Sequence, residues 1–96
     1  MANAPHVLKH EHQDNVAVVV VEDLTAGTLA RGVITADDTS FDINVVHDVP
    51  IGHKVALKDL SEGDTAIKYG EDIGKFVAPV KAGEHVHVHN LKTKRW

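Results

Sequence analysis

Apolar and polar positions in this 96-residue chain change over in short bursts. Brief apolar or alternating runs recur between turns rich in Gly and Asp, and no stretch keeps the period of about 3.6 residues that a helix requires. The pattern predicts a mostly β, compact single domain with strands at residues 7–9, 15–22, 29–34, 41–46, 53–57, 65–69, 75–78 and 85–91. A short motif occurs three times: Leu24 before Gly27 and Thr28, Leu60 before Gly63 and Asp64, Val80 before Gly83 and Glu84. Each sets an apolar anchor three residues ahead of a glycine, where a tight turn needs positive φ. These read as turns with an architectural role. Such close punctuation suits an irregular β-roll better than a regular sandwich.

Residues 35–40 read as an exposed polar loop, and Pro50, Ile51 and Gly52 as a turn into the next strand; neither is a linker. The expectation is one domain over residues 1–96, with a structured core at about 7–91 and a basic tail at 92–96. That tail ends on Trp96 and reads either as a solvated segment or as a partner-docking anchor.

Composition narrows the function classes. Hydrophobic residues at 43% and charged residues at 25% describe an ordinary folded domain with one modest core. A net charge of −4 and four aromatic residues argue against a nucleic-acid surface. No apolar run approaches the roughly 20 residues of a membrane span, and the N-terminus is not signal-like, so a cytoplasmic location without membrane association is expected. With no cysteine and eight histidines, any metal would need His, Asp, Glu or Asn ligands.

The strongest local signal is His85, His87 and His89 at alternate positions, followed by Asn90. On one strand the three imidazoles would share a face while Val86 and Val88 enter the core. Imidazoles two residues apart can chelate a divalent ion, with a further ligand from His53, a carboxylate or a partner chain. The alternative is a solvated histidine face. A second candidate is His53 with Lys54 after the Gly52 turn, a pair able to bind a carboxylate or exchange a proton, or simply two exposed polar residues. Residues 68–74 carry Gly70 and Gly74 around an acidic turn where a ligand could approach, or form a plain hairpin. His6, His10 and His12 are expected to be solvated. No catalytic triad or phosphate loop is recognisable.

Taken together, DNVAV at 14–18, PIGHKVAL at 50–57, IKYG at 67–70, IG at 73–74 and GEHVHVHN at 83–90 resemble the N-terminal domain of the altronate and galactarate dehydratase family. The resemblance implies a SAF-type β-clip, which in that family normally precedes a much larger catalytic domain. Because the sequence stops at Trp96, the expectation is a small lyase subunit partnered by a large catalytic subunit. It further implies a small acidic hydroxy-acid substrate that loses sulfite or water, and iron(II) shared with the large subunit. His53 and Lys54 fall in its Gly-His-Lys segment and Asn90 in its terminal His-x-His-Asn segment, which makes them the expected catalytic residues, while the assignment of His87 and His89 as metal ligands rests on their chemistry. An excised domain of a single-chain dehydratase and a non-catalytic acidic-sugar binding module stay open as alternatives.

Overall fold

The computed structural model describes residues 4–92. Within them nine strands form: β1 (Val7–Lys9), β2 (Val16–Val19), β3 (Leu29–Ile34), β4 (Thr39–Asn44), β5 (Lys54–Ala56), β6 (Thr65–Lys68), β7 (Glu71–Phe76), β8 (His85–Val86) and β9 (Leu91–Lys92). Six make one sheet in the order β4-β3-β1-β2-β5-β8, and three make a second in the order β6-β7-β9. β1 and β3 run parallel, and every other pair is antiparallel. This is the mostly β, compact single domain expected from the sequence.

The apolar run at the start of β2 has a specific use. Ala17 and Val19 enter one core with Val7, Leu24, Val45, Val49 and Val55, while Val16 enters a second with Ala56, Leu60, Phe76, Val80 and Val86. Strand alternation therefore feeds both cores from β2 and β5, and a strand covered on both faces needs apolar residues at consecutive positions.

The repeated turn occurs four times, not three. Thr28, His53, Asp64 and Glu84 each donate a backbone N–H to the carbonyl three residues earlier, and Gly27, Gly52, Gly63 and Gly83 hold φ between 87° and 92°. These are type II turns, whose third position demands glycine. The apolar residue before each turn then pairs across the fold, Leu24 with Val49 and Leu60 with Val80. Asp48 accepts from Ala26 N–H at 2.8 Å, and Asp59 accepts from Ala82 N–H at 2.9 Å, so each half is locked in the same way. At Gly83 a methyl group would also overlap the carbonyl oxygen of Asn44.

The two sheets are stapled at Asp14 and Asn15, which are 3% and 9% exposed. The Asp14 carboxylate accepts backbone N–H groups from His10 and Glu11 on one side, and from Tyr69 and Gly70 on the other, at 2.7–3.1 Å. Asn15 donates to Thr65 O and accepts from Ile67 N–H, joining β6 edge-on. Asp14 and Asn15 thus replace the expected start of a strand at residue 15 with a junction, and β2 begins at Val16.

Other expectations also shift. The strand expected at 75–78 begins earlier, at Glu71, because Tyr69 and Gly70 make a tight hairpin from β6. His10 and His12 are exposed, as expected, yet each also has a partner, Thr35 at 2.7 Å and Asp37 at 2.7 Å, while half-buried His6 accepts the Arg31 N–H on Nδ1. Residues 93–96 of the expected tail lie outside the described residues.

Asp14→Ala leaves four backbone donors short of their acceptor and should lower unfolding free energy by about 3 kcal/mol or more, measured by urea denaturation. Burial pushes this carboxyl up, but the N–H groups of Gly70, Glu11, Tyr69 and His10 outweigh it and hold its pKa below the ordinary 3.8. A carboxyl depressed in the folded state stabilises above its unfolded pKa and loses that contribution as pH falls through the folded value. Asp14→Asn should therefore remove part of the acid-induced loss of stability below about pH 4.

Candidate functional site

The type II turn at residues 50–53 delivers His53 to the head of β5, where its carbonyl accepts from Val19 N–H at 2.9 Å. β8 pairs with β5 in the register Val55 to His85. That register sets His85 beside His53, and their Nδ1 and Nε2 atoms stand 2.7 Å apart. One ring must donate and the other accept, so at least one is neutral.

Beyond Val86 the chain departs from the expectation. The strand expected over 85–91 breaks, and residues 87–90 form a turn before β9. Asn90 causes the break. Its Oδ1 accepts from His87 N–H at 3.1 Å and its Nδ2 donates to His85 O at 2.9 Å, while Asn90 N–H and Leu91 N–H both return to His87 O. An asparagine that hydrogen-bonds to backbone three and five residues back offers the chain an alternative to the ladder. Val88 consequently does not enter the core and is 66% exposed.

The turn redistributes the imidazoles. His87 stacks face to face on His53, with centroids 3.6 Å apart and planes 10° from parallel, while His89 leans on His85 at 4.8 Å. The two expected metal ligands thus contact different histidines. His47, which the sequence reading passed over, joins them by accepting the His85 backbone N–H on Nδ1 at 3.2 Å. It lies 38 residues from His85, so no local spacing could have signalled it. Asn90 is 8% exposed and both ends of its amide are engaged, which makes it the residue that shapes the cluster.

Lys54 pairs with Val18 and Val86 across its neighbouring strands, so alternation sets it on the face opposite Val55. Burial, then the charge of Lys68, lowers its pKa. His53 and Lys54, adjacent in sequence, therefore serve opposite faces of β5.

Iron requires converging ligands. An imidazole binds a metal along the nitrogen lone pair in the ring plane, and the near-parallel stack of His53 on His87 does not aim two such lone pairs at one point. Among the described residues, no group of three or more His, Asp or Glu is placed to hold a metal ion. Taken alone, the described residues do not form an iron cage. The cluster can instead exchange protons between neutral rings and bind anions once protonated. Among the described residues, no helix is long and apolar enough to cross a membrane.

The altronate/galactarate dehydratase SAF domain matches residues 5–94. The chain is 49% identical over 87 residues to the (2R)-sulfolactate sulfo-lyase subunit alpha of Chromohalobacter salexigens, covering 91% of this chain and 93% of that protein. Its counterpart from Paracoccus pantotrophus is 59% identical over 64 residues, covering 67% of this chain and 96% of that protein. The altronate dehydratase of Escherichia coli is 42% identical over 80 residues, which are 83% of this chain and 15% of the dehydratase.

Burial, followed by the neighbouring imidazoles of His89, His53, His87 and His47, lowers the pKa of His85 below 6.5. His87 is lowered by burial, then by His53, Lys54 and His89. A histidine depressed in the folded state contributes stability above its unfolded pKa and loses it as pH falls toward the folded one. Proton NMR of the ring Cε1–H signals should show both residues titrating below 6.5, and His53→Ala should raise both midpoints by lifting a shared repulsion. Midpoints at or above 6.5 in the native chain would contradict the packed, repulsive cluster.

Proposed function

Because this chain belongs to the altronate/galactarate dehydratase SAF domain family, we propose that it is a lyase subunit acting on (2R)-3-sulfolactate, releasing sulfite and pyruvate together with a large catalytic chain. The observation that carries this reading is the match to two sulfo-lyase alpha subunits over 93% and 96% of their lengths, against 15% of the Escherichia coli altronate dehydratase. A cytoplasmic location belongs to the same proposal.

In the proposed reaction a base removes the proton at C2, the freed electron pair forms the C2–C3 double bond, and the C3–S bond breaks with sulfite carrying away its electrons. The resulting enol takes a proton at C3, gives up its hydroxyl proton and becomes pyruvate. Each part of the histidine site has a role in this scheme. The His53 and His85 pair accepts and passes on a proton through its 2.7 Å contact, and His87, stacked on His53, fixes the plane of that ring. Lys54 attracts the doubly anionic substrate. Asn90 is a positioning residue, since it acts by holding His85 and His87 in place.

Iron(II) enters the proposal as a group whose ligands the large chain would supply, with His87 or His89 able to contribute an imidazole. Bound there, it would supply Lewis-acid polarisation of the substrate oxygens. The dehydratase similarity favours a second reading, in which the same groups serve loss of water from a sugar acid.

The isolated chain should produce no pyruvate from sulfolactate with iron(II) present, and mixing it with its cognate large chain should restore turnover, followed by coupled pyruvate and sulfite assays. In that complex His87→Ala and His89→Ala should each slow turnover by roughly 10²–10⁴-fold with little change in thermal melt. Turnover by the isolated chain would refute the shared site. Near-normal rates in both variants, with unchanged iron content, would reduce the histidines to a solvated surface.

A further inference from the structure

The three-stranded sheet covers only part of the six-stranded one. Val16 lies in the second core with Phe76, but on the same face Val18 and Val20 instead floor a cavity of about 160 Å³, together with Leu8 from β1. Register explains the floor, because Leu8 and Val18 are direct partners between β1 and β2. The rim is polar and comes from the two segments that Asp14 ties together. His10 stands on one side, with its ring fixed by a 2.7 Å contact to Thr35. Lys68 and Tyr69 stand on the other, with the Tyr69 ring 5.1 Å from His10 and the Lys68 ammonium 5.2 Å from the Tyr69 centroid.

Two features set this cavity apart from an ordinary surface dent. Tyr69 holds φ at 56°, a conformation that a bulky side chain rarely adopts, and it is 59% exposed. Backbone strain that presents an aromatic ring to solvent is a pointer to binding. The second feature is charge. Among the described residues lining the cavity the charged ones are Lys9 and Lys68, and none is acidic. Lys9 turns its ammonium away, to the carbonyls of His12 and Asp14. Lys68 is left as the charged group that borders the cavity, its ammonium beside the Tyr69 ring. An anion seated beside this ammonium, over an apolar floor that screens charge poorly, is attracted to it.

We propose that this cavity binds a small organic anion, with a carboxylate or sulfonate head at the Lys68 ammonium and a chain of about three carbons on Leu8, Val18 and Val20. The volume suits such a ligand, being near that of an engineered cavity of about 150 Å³ that accepts benzene. His10 and Tyr69 give the head further donors. The site needs neither turnover nor the large chain, so it stands whether or not the lyase reading does.

The test is ¹⁵N NMR titration of the full chain with propane-1-sulfonate and butyrate, beside 1-propanol and inorganic sulfate. Saturable shifts should appear at the amides of Leu8, Val18, Val20 and Tyr69, with Kd on the order of 1 mM for the organic anions. The alcohol and the bare sulfate should each bind at least about tenfold more weakly, since each keeps half of the interaction. Lys68→Met should weaken propane-1-sulfonate about tenfold or more, and Lys68→Arg should stay within about threefold of the native chain. Equal binding of propanol would make the cavity merely apolar. Shifts confined to residues 85–90, shifts that never saturate, or undiminished binding in a folded Lys68→Met chain would each overturn the proposal.

Discussion

The carboxylate of Asp14 and the amide of Asn15 sit in the seam between the two sheets, where water cannot serve the backbone groups that meet there. Asp14 gathers N–H groups from His10, Glu11, Tyr69 and Gly70, and Asn15 completes the edge of β6. A buried acceptor with this many donors is stable only as an anion, and its donors are stable only while it remains one. The hairpin of β6 and β7 is thereby held over Val16 and Ala56, closing the second core. The same bonds set the distance between His10 and Tyr69, and hence the walls of the cavity beside them.

Carboxylates elsewhere do similar backbone work. Asp48, Asp59, Asp64 and Glu84 each accept a main-chain N–H at one of the repeated turns. A net charge of −4 is therefore a poor guide to the local surfaces. With these acids committed to turns, Lys54 and Lys68 are left on one side of β5, and the histidines around His53 and the end of β8 on the other, as bases that raise one another's electrostatic energy. Such arrangements are costly in an isolated domain and become favourable when an anion or an acidic partner supplies the missing charge. This asymmetry links the fold to its function: the acids build the turns, and the turns present the bases.

Much of the architecture was legible in the sequence because it rests on local chemistry. Glycine three residues after Leu24, Leu60 and Val80 signalled a tight turn each time, since few other residues adopt the required φ. The short alternating runs allowed only strands, and β1 and β3 fall where the pattern set them. The segments from Asp14 to Asn90, read together, pointed to the family that the match over residues 5–94 shows, and the histidines at 53, 85 and 87 do meet in space.

What the tertiary structure decided is how those segments meet. Periodicity continued the strand from His85 through Leu91, but a polar side chain can compete with the sheet ladder, and Asn90 turned the chain and separated His87 from His89. Adjacent His53 and Lys54 were divided between two faces because strand alternation follows register, and register is set by partners distant in sequence. His47, and the cavity between His10 and Tyr69, depend on contacts far apart in the chain, beyond the reach of any local motif. The sequence by itself determined the strands, the turns and the stock of bases; the tertiary structure determined which bases touch, because hydrogen-bond register and buried carboxylates act between segments that local pattern cannot relate.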